Sequence, residues 1–247
     1  MKSRFSKQSE LYAEYRPGYP DALFEFIFSH LHRKETAWDA CTGTGQVASV
    51  LSGNFSKVFA NDISEEQLSY APQKENIKYV KVAAENTGFP ARIFDLITVA
   101  QAIHWLDFEE FYEEVNRTAA NGCLLAVIGY GMVRINEDLN PLIDKFYNYT
   151  FSEYFNENRR YLDRHYKTIP FPFEEIDSPE FTNKMDWSIH DLAGYLNSWS
   201  TVQKFKDEKG FNPAERLLKE LTPHWPDKEE KEVNFPVFLR LGRVNRK

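Results

Sequence analysis

The stretch TAWDACTGTGQVASVL at residues 36–51 decides the fold. Residues 36–41 are short and apolar, residues 42–46 are rich in glycine, and residues 47–51 return to an apolar pattern. That order reads as a strand, a glycine turn and a helix. Gly43 and Gly45 let the backbone pass close to a ligand. The helix start behind them presents unpaired amides and the positive end of its dipole. The plain competing reading is a turn that serves only the chain.

Outward from this turn, residues 57–61 form a second short strand that ends at Asp62. In a doubly wound sheet that strand end lies beside the glycine turn, and a carboxylate there accepts from both hydroxyls of an adenosine ribose. Ser64 and Gln67 have capping-box spacing and open another helix. Residues 78–82 alternate as a third strand, and residues 95–100 are apolar enough for a central parallel strand. Residues 108–118 have helical spacing, Asn121 and Gly122 stop that helix, and residues 123–128 are the fifth strand. Glu109, Glu110, Glu113 and Glu114 read as the helix's solvated face. Strands alternating with helices mean βαβ units, a parallel sheet and an α/β fold.

After Gly131 the character changes. Residues 140–166 are helix-like and dense in aromatics, residues 170–173 break the pattern, and 181–187 read as a strand. Residues 191–205 read as one helix and 233–241 as a final strand, with Pro236 marking an edge or a bulge. The expected division is an N-terminal lid at 1–35, a cofactor-binding core at 36–131, an aromatic-rich cap inserted at 132–180, and C-terminal elements at 181–247 that complete the sheet.

Composition narrows the function. The 30 basic and 37 acidic residues leave a net charge of −7, which argues against clamping a phosphate backbone as the main task. Twenty Phe, 13 Tyr and 5 Trp supply a core. Two cysteines make neither a disulfide framework nor a four-cysteine zinc site, and His30, His190 and His224 lack metal-ligand spacing. The opening residues have no apolar signal region, and the longest apolar stretch is too short to span a membrane, so a soluble cytoplasmic protein is expected.

Residues 43–48 also meet the dinucleotide fingerprint. Asp39 just before the turn, and the aromatic residues ahead of the first strand, argue against a nicotinamide. Taken together, DACTGTG at 39–45, Asp62, Ala84-Glu85 and QAIHW at 101–105 resemble a class I S-adenosylmethionine-dependent methyltransferase. With YAEYRPGYP at 12–20, the pattern is most similar to the trans-aconitate methyltransferase-like group of small-molecule enzymes. The resemblance implies a Rossmann-like, seven-stranded, mostly parallel sheet with the last strand antiparallel, and helices on both faces. It implies that Asp39, Gly43 and Gly45 hold the methionine portion of S-adenosylmethionine. Asp62 would bind the ribose, Ile63 would pack on the adenine, and Ala84 and Glu85 would flank its edge. Gln101 and Ala102 would face the reactive sulfonium. The family carries glycine where this chain has Cys41.

Methyl transfer from a sulfonium is an in-line displacement, in which positioning alone supplies about 7–11 kcal/mol. A carboxylate acceptor needs no base, whereas a hydroxyl or amine benefits from one. His104 is the candidate base or substrate hydrogen-bond partner, against a core histidine bonded to backbone. Trp105 reads as a packed wall before a catalytic group, and the aromatic faces of Trp105, Tyr12 and Tyr19 can also serve a cationic sulfonium. Arg16 has a planar fork suited to a carboxylate of cofactor or substrate, against simple packing of an N-terminal helix. The competing functions are an RNA or protein methyltransferase, an inert cofactor-binding module for which Cys41 speaks, and a nicotinamide oxidoreductase.

Overall fold

The computed structural model describes residues 15–151, 153–154 and 158–245, so Tyr12 lies outside the described residues. The elements are α1 (Asp21–Ser29), β1 (Thr36–Ala40), α2 (Gln46–Ser52), β2 (Lys57–Asp62), α3 (Glu65–Ser69) and β3 (Ile77–Lys81). Then come β4 (Phe94–Ala100), a 3-10 turn (Ile103–Trp105), α4 (Phe108–Thr118), β5 (Ala119–Tyr130), α5 (Asn140–Thr150) and α6 (Arg159–Asp163). The chain ends with β6 (Glu174–Ile176), β7 (Phe181–Trp187), α7 (Ile189–Asn197), α8 (Ser200–Lys209), α9 (Pro213–Leu221) and β8 (Lys231–Arg243).

The sheet order is β3-β2-β1-β4-β5-β8-β6, and β7 pairs with β8 off this path. Strands β1 to β5 are parallel, and β8 runs antiparallel to β5 from Val237 to Arg243. This is the expected Rossmann-like arrangement, with one correction. The sheet has eight strands where seven were expected, because β8 takes two further partners, β6 and β7. Three residues, two of them glutamates, give β6 no readable alternation.

Two local expectations also change. Asn121 and Gly122 do not stop a helix: α4 already ends at Thr118, and both residues lie inside β5. Phe94 pairs with Ala119 but Leu96 pairs with Leu124, and Gly122, at φ +77°, absorbs that slip as glycine can. The single helix expected at 191–205 is two, because Trp199 turns extended at ψ 129° and its ring packs 5.5 Å from Tyr195. Pro236 falls where the pairing of β8 with β5 stops.

The chain divides into two compact units. One holds Met1–Gly18, Met132–Arg159 and Thr182–Pro236; the other holds Tyr19–Gly131, Arg160–Phe181 and Val237–Lys247. In the first, Trp187, Tyr195 and Phe235 form an aromatic cluster. There Ser188 and Asp191 cap α7 reciprocally, and Asn212 with Pro213 opens α9, which sequence reading passed over. The second unit contains the parallel strands. Its core is built on Trp38, Phe59, Phe94, Phe111, Ile97 and Leu125. Trp38 satisfies its buried indole N–H on Asn61 Oδ1 at 2.7 Å.

Asp95 fixes how β1 enters this sheet. Its carboxylate accepts from Arg33 Nε at 2.9 Å and Nη2 at 2.7 Å, and from the amides of Glu35 and Thr36 at 2.8 and 3.1 Å. A charge at the head of an apolar strand is thus fully engaged. Asp95→Ala leaves those donors unmatched, and we expect a loss of about 3 kcal/mol, read as a lower urea midpoint.

Candidate functional site

Because β1, β2 and β4 are parallel neighbours, their carboxyl ends share one edge of the sheet, where α/β folds place ligands. The turn after β1 is drawn tight by left-handed backbone at Cys41 (φ +54°), Gly43 (φ +57°) and Gly45 (φ +78°). A Cβ on Gly43 would stand 2.8 Å from Gln67 Oε1, and one on Gly45 2.8 Å from the Tyr79 hydroxyl. The positive φ favours glycine at both places, and at Gly45 the Ala71 Cβ, 3.0 Å away, adds a steric reason. Helix α2, which follows, has seven residues.

Asp39 is buried beneath this turn. Its Oδ1 accepts from Thr98 Oγ1 at 2.8 Å; its Oδ2 accepts from Thr42 Oγ1 at 2.5 Å and the Ala48 amide at 3.0 Å. Burial pushes the carboxyl up to about 6, and those three hydrogen bonds oppose the rise. Asp62 Oδ2 accepts from the Gly43 amide at 2.9 Å and Oδ1 from the Ser64 amide at 2.8 Å. The expected capping box is therefore half formed: Ser64 Oγ accepts from the Gln67 amide at 3.2 Å, while the Ser64 amide goes to Asp62.

Around these carboxylates the surface is apolar in patches. Ile63 is 73% exposed next to Asp62. Ala84 is buried, and Glu85 Oε1 accepts from the Asp107 amide at 3.3 Å. The loop that carries Glu85 is fastened by Glu114, which is buried and not on a solvated face as expected. Glu114 accepts from the Thr87 amide at 2.9 Å and pairs with Arg117 at 2.7 Å. Burial alone would raise its carboxyl, but Arg117 and Thr87 hold it below the usual carboxylate range.

The end of β4 is strained as well. Gln101 sits at φ +55°, and its side-chain Nε2 donates to the Tyr130 carbonyl at 3.1 Å. Ala102 opens the 3-10 turn, whose first closing bond runs from the Trp105 amide to the Ala102 carbonyl at 2.9 Å. His104 is buried, with Nδ1 2.9 Å from the Tyr166 hydroxyl. Trp105 beside it is 61% exposed, with ring centroids 4.9 Å apart, and is not a packed wall.

Tyr19 packs near Phe24 and Tyr130, at 6.4 and 6.0 Å between centroids. Arg16 belongs to the other unit, where its guanidinium lies 5.7 Å from the centre of the Tyr195 ring and Nη2 donates to the Ser198 carbonyl at 3.4 Å. Sequence reading missed Thr98 and Tyr166. A hydroxyl inside the apolar run of β4 was the available signal for Thr98; nothing local marked Tyr166.

The donor set fits a cationic nucleotide cofactor. Asp39, Asp62 and Glu85 all lie close enough to Cys41 that their charges, added to burial, hold its thiol protonated. The Thr44 hydroxyl, buried in the glycine turn, has no hydrogen-bond partner among the described residues. Acidic charge, an unmatched hydroxyl and an exposed aliphatic face sit on one sheet edge.

Comparison with known proteins agrees with this geometry. Residues 38–127 match the family model described as a methyltransferase domain. A Dictyostelium discoideum protein named for methyltransferase activity is 34% identical, covering 97% of this chain and 94% of its own. The methyltransferase cfoB of Aspergillus candidus is 26% identical, covering 83% of this chain and 69% of its own. A solved structure from Anaeromyxobacter dehalogenans, named as a type II methyltransferase, superposes with a TM-score of 0.86. It shares 29% identity and covers 94% of this chain and 100% of its own.

Two outcomes follow for the turn. Since the fold favours neutral Asp39, its contribution to stability is full below about pH 4 and is lost as pH rises through about 6. The loss amounts to about 3 kcal/mol, and Asp39→Asn should flatten that segment of unfolding free energy against pH. Cys41→Gly relieves left-handed strain and should raise stability by about 1 kcal/mol in urea titration.

Proposed function

The chain belongs to the class I S-adenosylmethionine-dependent methyltransferases, and from that premise we propose that it methylates a small-molecule acceptor. Within the family the reading is the trans-aconitate methyltransferase-like group, with a carboxylate as the favoured acceptor class and the cytoplasm as the place of work. The observation that carries it is the gathering of Asp39, Asp62 and Glu85 at the carboxyl ends of the parallel strands. S-adenosylmethionine brings a sulfonium and an ammonium, which complement that negative charge. The chain's net charge of −7 supports a small acceptor over a nucleic acid. Among the described residues, no helix is long and apolar enough to cross a membrane.

When bound, the cofactor supplies a methyl group on an excellent leaving group. The chain's own residues orient and hold. Gly43 and Gly45 give the methionine portion close backbone approach; Asp39, with Thr98 and Thr42, fixes the turn and sets its charge. Asp62 takes the ribose hydroxyls, Ile63 covers the adenine, and Ala84 and Glu85 border it. Gln101 and Ala102 face the sulfur side. His104 and Trp105 meet the acceptor, with Tyr19, Tyr12 and Arg16 contributing to acceptor recognition. With a carboxylate acceptor, an O–C bond forms as the S–C bond breaks, the electron pair returns to sulfur, and no proton moves.

Calorimetric titration tests this reading. S-adenosylmethionine and S-adenosylhomocysteine should bind at micromolar concentration and NAD should not; the reverse pattern would restore the nicotinamide alternative. Failure of all three to bind would favour the inert module. Asp62→Ala should weaken S-adenosylhomocysteine at least about tenfold, about 1.4 kcal/mol, through lost ribose bonds and a loosened turn.

A further inference from the structure

Asp39, Asp62 and Glu85 bring three carboxylates to the glycine turn, and among the described residues hydroxyls and amides, not cations, are their partners. Of the three, Asp39 alone is buried. The charge that acts on it is Asp62, of the same sign. Cys41 and Tyr79, which feel Asp39, are both held in their neutral forms. Helix α2 carries no charged residue, and Lys57 opens β2 opposite Thr36, at the other end of β1. Asp95, the charged residue of β4, is engaged by Arg33.

The hydrogen bonds around Asp39 suit either charge state. Oδ2 already accepts twice, from Thr42 Oγ1 and from the Ala48 amide. Oδ1 is met by Thr98 Oγ1 at 2.8 Å, and that hydroxyl also lies 3.4 Å from the Trp38 carbonyl. With Asp39 ionised, Thr98 donates to Oδ1. With a proton on Oδ1, the carboxyl donates to Thr98 Oγ1, which turns its own hydrogen to the Trp38 carbonyl. Thr98 and Trp38 are fully buried, so this exchange has a fixed place inside the fold.

We infer that cofactor binding is linked to loss of the Asp39 proton: the cationic cofactor expels it, and acid in turn weakens the cofactor. S-adenosylmethionine carries an ammonium and a sulfonium against a single carboxylate. Its approach to the turn favours the ionised form of a carboxyl that has no cation of its own. In the free protein burial, helped by Asp62, holds that carboxyl up at about 6 against its three hydrogen bonds. Linkage is reciprocal, so proton and cofactor lower each other's affinity by the same factor. Affinity therefore rises with pH through about 6 and levels off above it. S-adenosylhomocysteine, which lacks the sulfonium, should expel the proton less completely. The inference rests on the proposed reading that the cofactor lies on this turn.

Calorimetric titration of the full-length protein with S-adenosylmethionine counts the protons, from heats measured in acetate and in bis-tris, buffers of different ionisation enthalpy. The expected release is about 0.8 proton at about pH 5.5 and about 0.1 at about pH 7, with affinity about tenfold weaker at about pH 5 than at about pH 7. Asp39→Asn keeps an acceptor for Ala48 and Thr42 and a donor for Thr98; release should vanish and affinity should stay nearly level over that range. A wild-type count near zero, an uptake of protons, or a release that survives Asp39→Asn overturns the inference. Should the variant not fold, infrared difference spectra of wild type carrying carbon-13 at its aspartate carboxyls decide. The band of a protonated carboxyl must vanish on binding, and its persistence overturns the inference. Absence of binding at about pH 7 strikes the cofactor reading and this inference with it, whereas binding without release strikes this inference alone.

Discussion

Both oxygens of Asp39 are engaged inside the fold, and the bonds they accept come from three different elements. Thr98 donates from β4, Ala48 from α2, and Thr42 from the turn between β1 and α2. One buried carboxylate thereby locks the neighbouring strand ends to the loop that a cofactor would approach. Its cost is plain from burial, which raises the carboxyl to about 6. A buried carboxylate is tolerated when its lone pairs are filled, and severely destabilising when they are not. Asp62 then hangs the start of α3 on the same turn through the Gly43 and Ser64 amides.

Backbone strain is spread along the same side of the chain's chemistry. Cys41 follows β1, Gln101 follows β4, and Tyr166, next to His165, meets His104; these four non-glycine residues are all left-handed. Specific contacts hold two of them. Gln101 is tied to Tyr130, and Tyr166 to Arg240. Cys41 explains the glycine of the wider family: the position needs left-handed backbone, so a side chain there is carried at a conformational cost.

Much of this was legible in the chain. The glycine turn, the short apolar runs and the capped helix start marked β1, β2, β4, the Gly43–Gly45 turn and Asp62, because those signals are local; Ala84, Glu85, Gln101 and Ala102 came only through the family resemblance. Long-range pairings were not legible. His104 meets Tyr166 and Asp39 meets Thr98 across roughly sixty positions, and no local pattern encodes such contacts. Gly122 was misread since a glycine near a helix end signals a stop, whereas here it absorbs a slip between paired strands. Trp199 was misread for the opposite reason: helical spacing continued, but burying the indole took precedence over continuing the helix. Glu114 looked solvated by type, yet the Thr87 loop and Arg117 give it partners enough to be buried.

The carboxyl ends of β1, β2 and β4 are the surface on which a bound cofactor would rest. Hydrogen exchange of the full-length protein, with and without saturating S-adenosylhomocysteine, addresses it most directly. Exchange should slow in peptides spanning residues 39–48, 61–68 and 101–105, with the far ends of the same strands unchanged. Slowed exchange that spares all three segments while ligand is bound would contradict it.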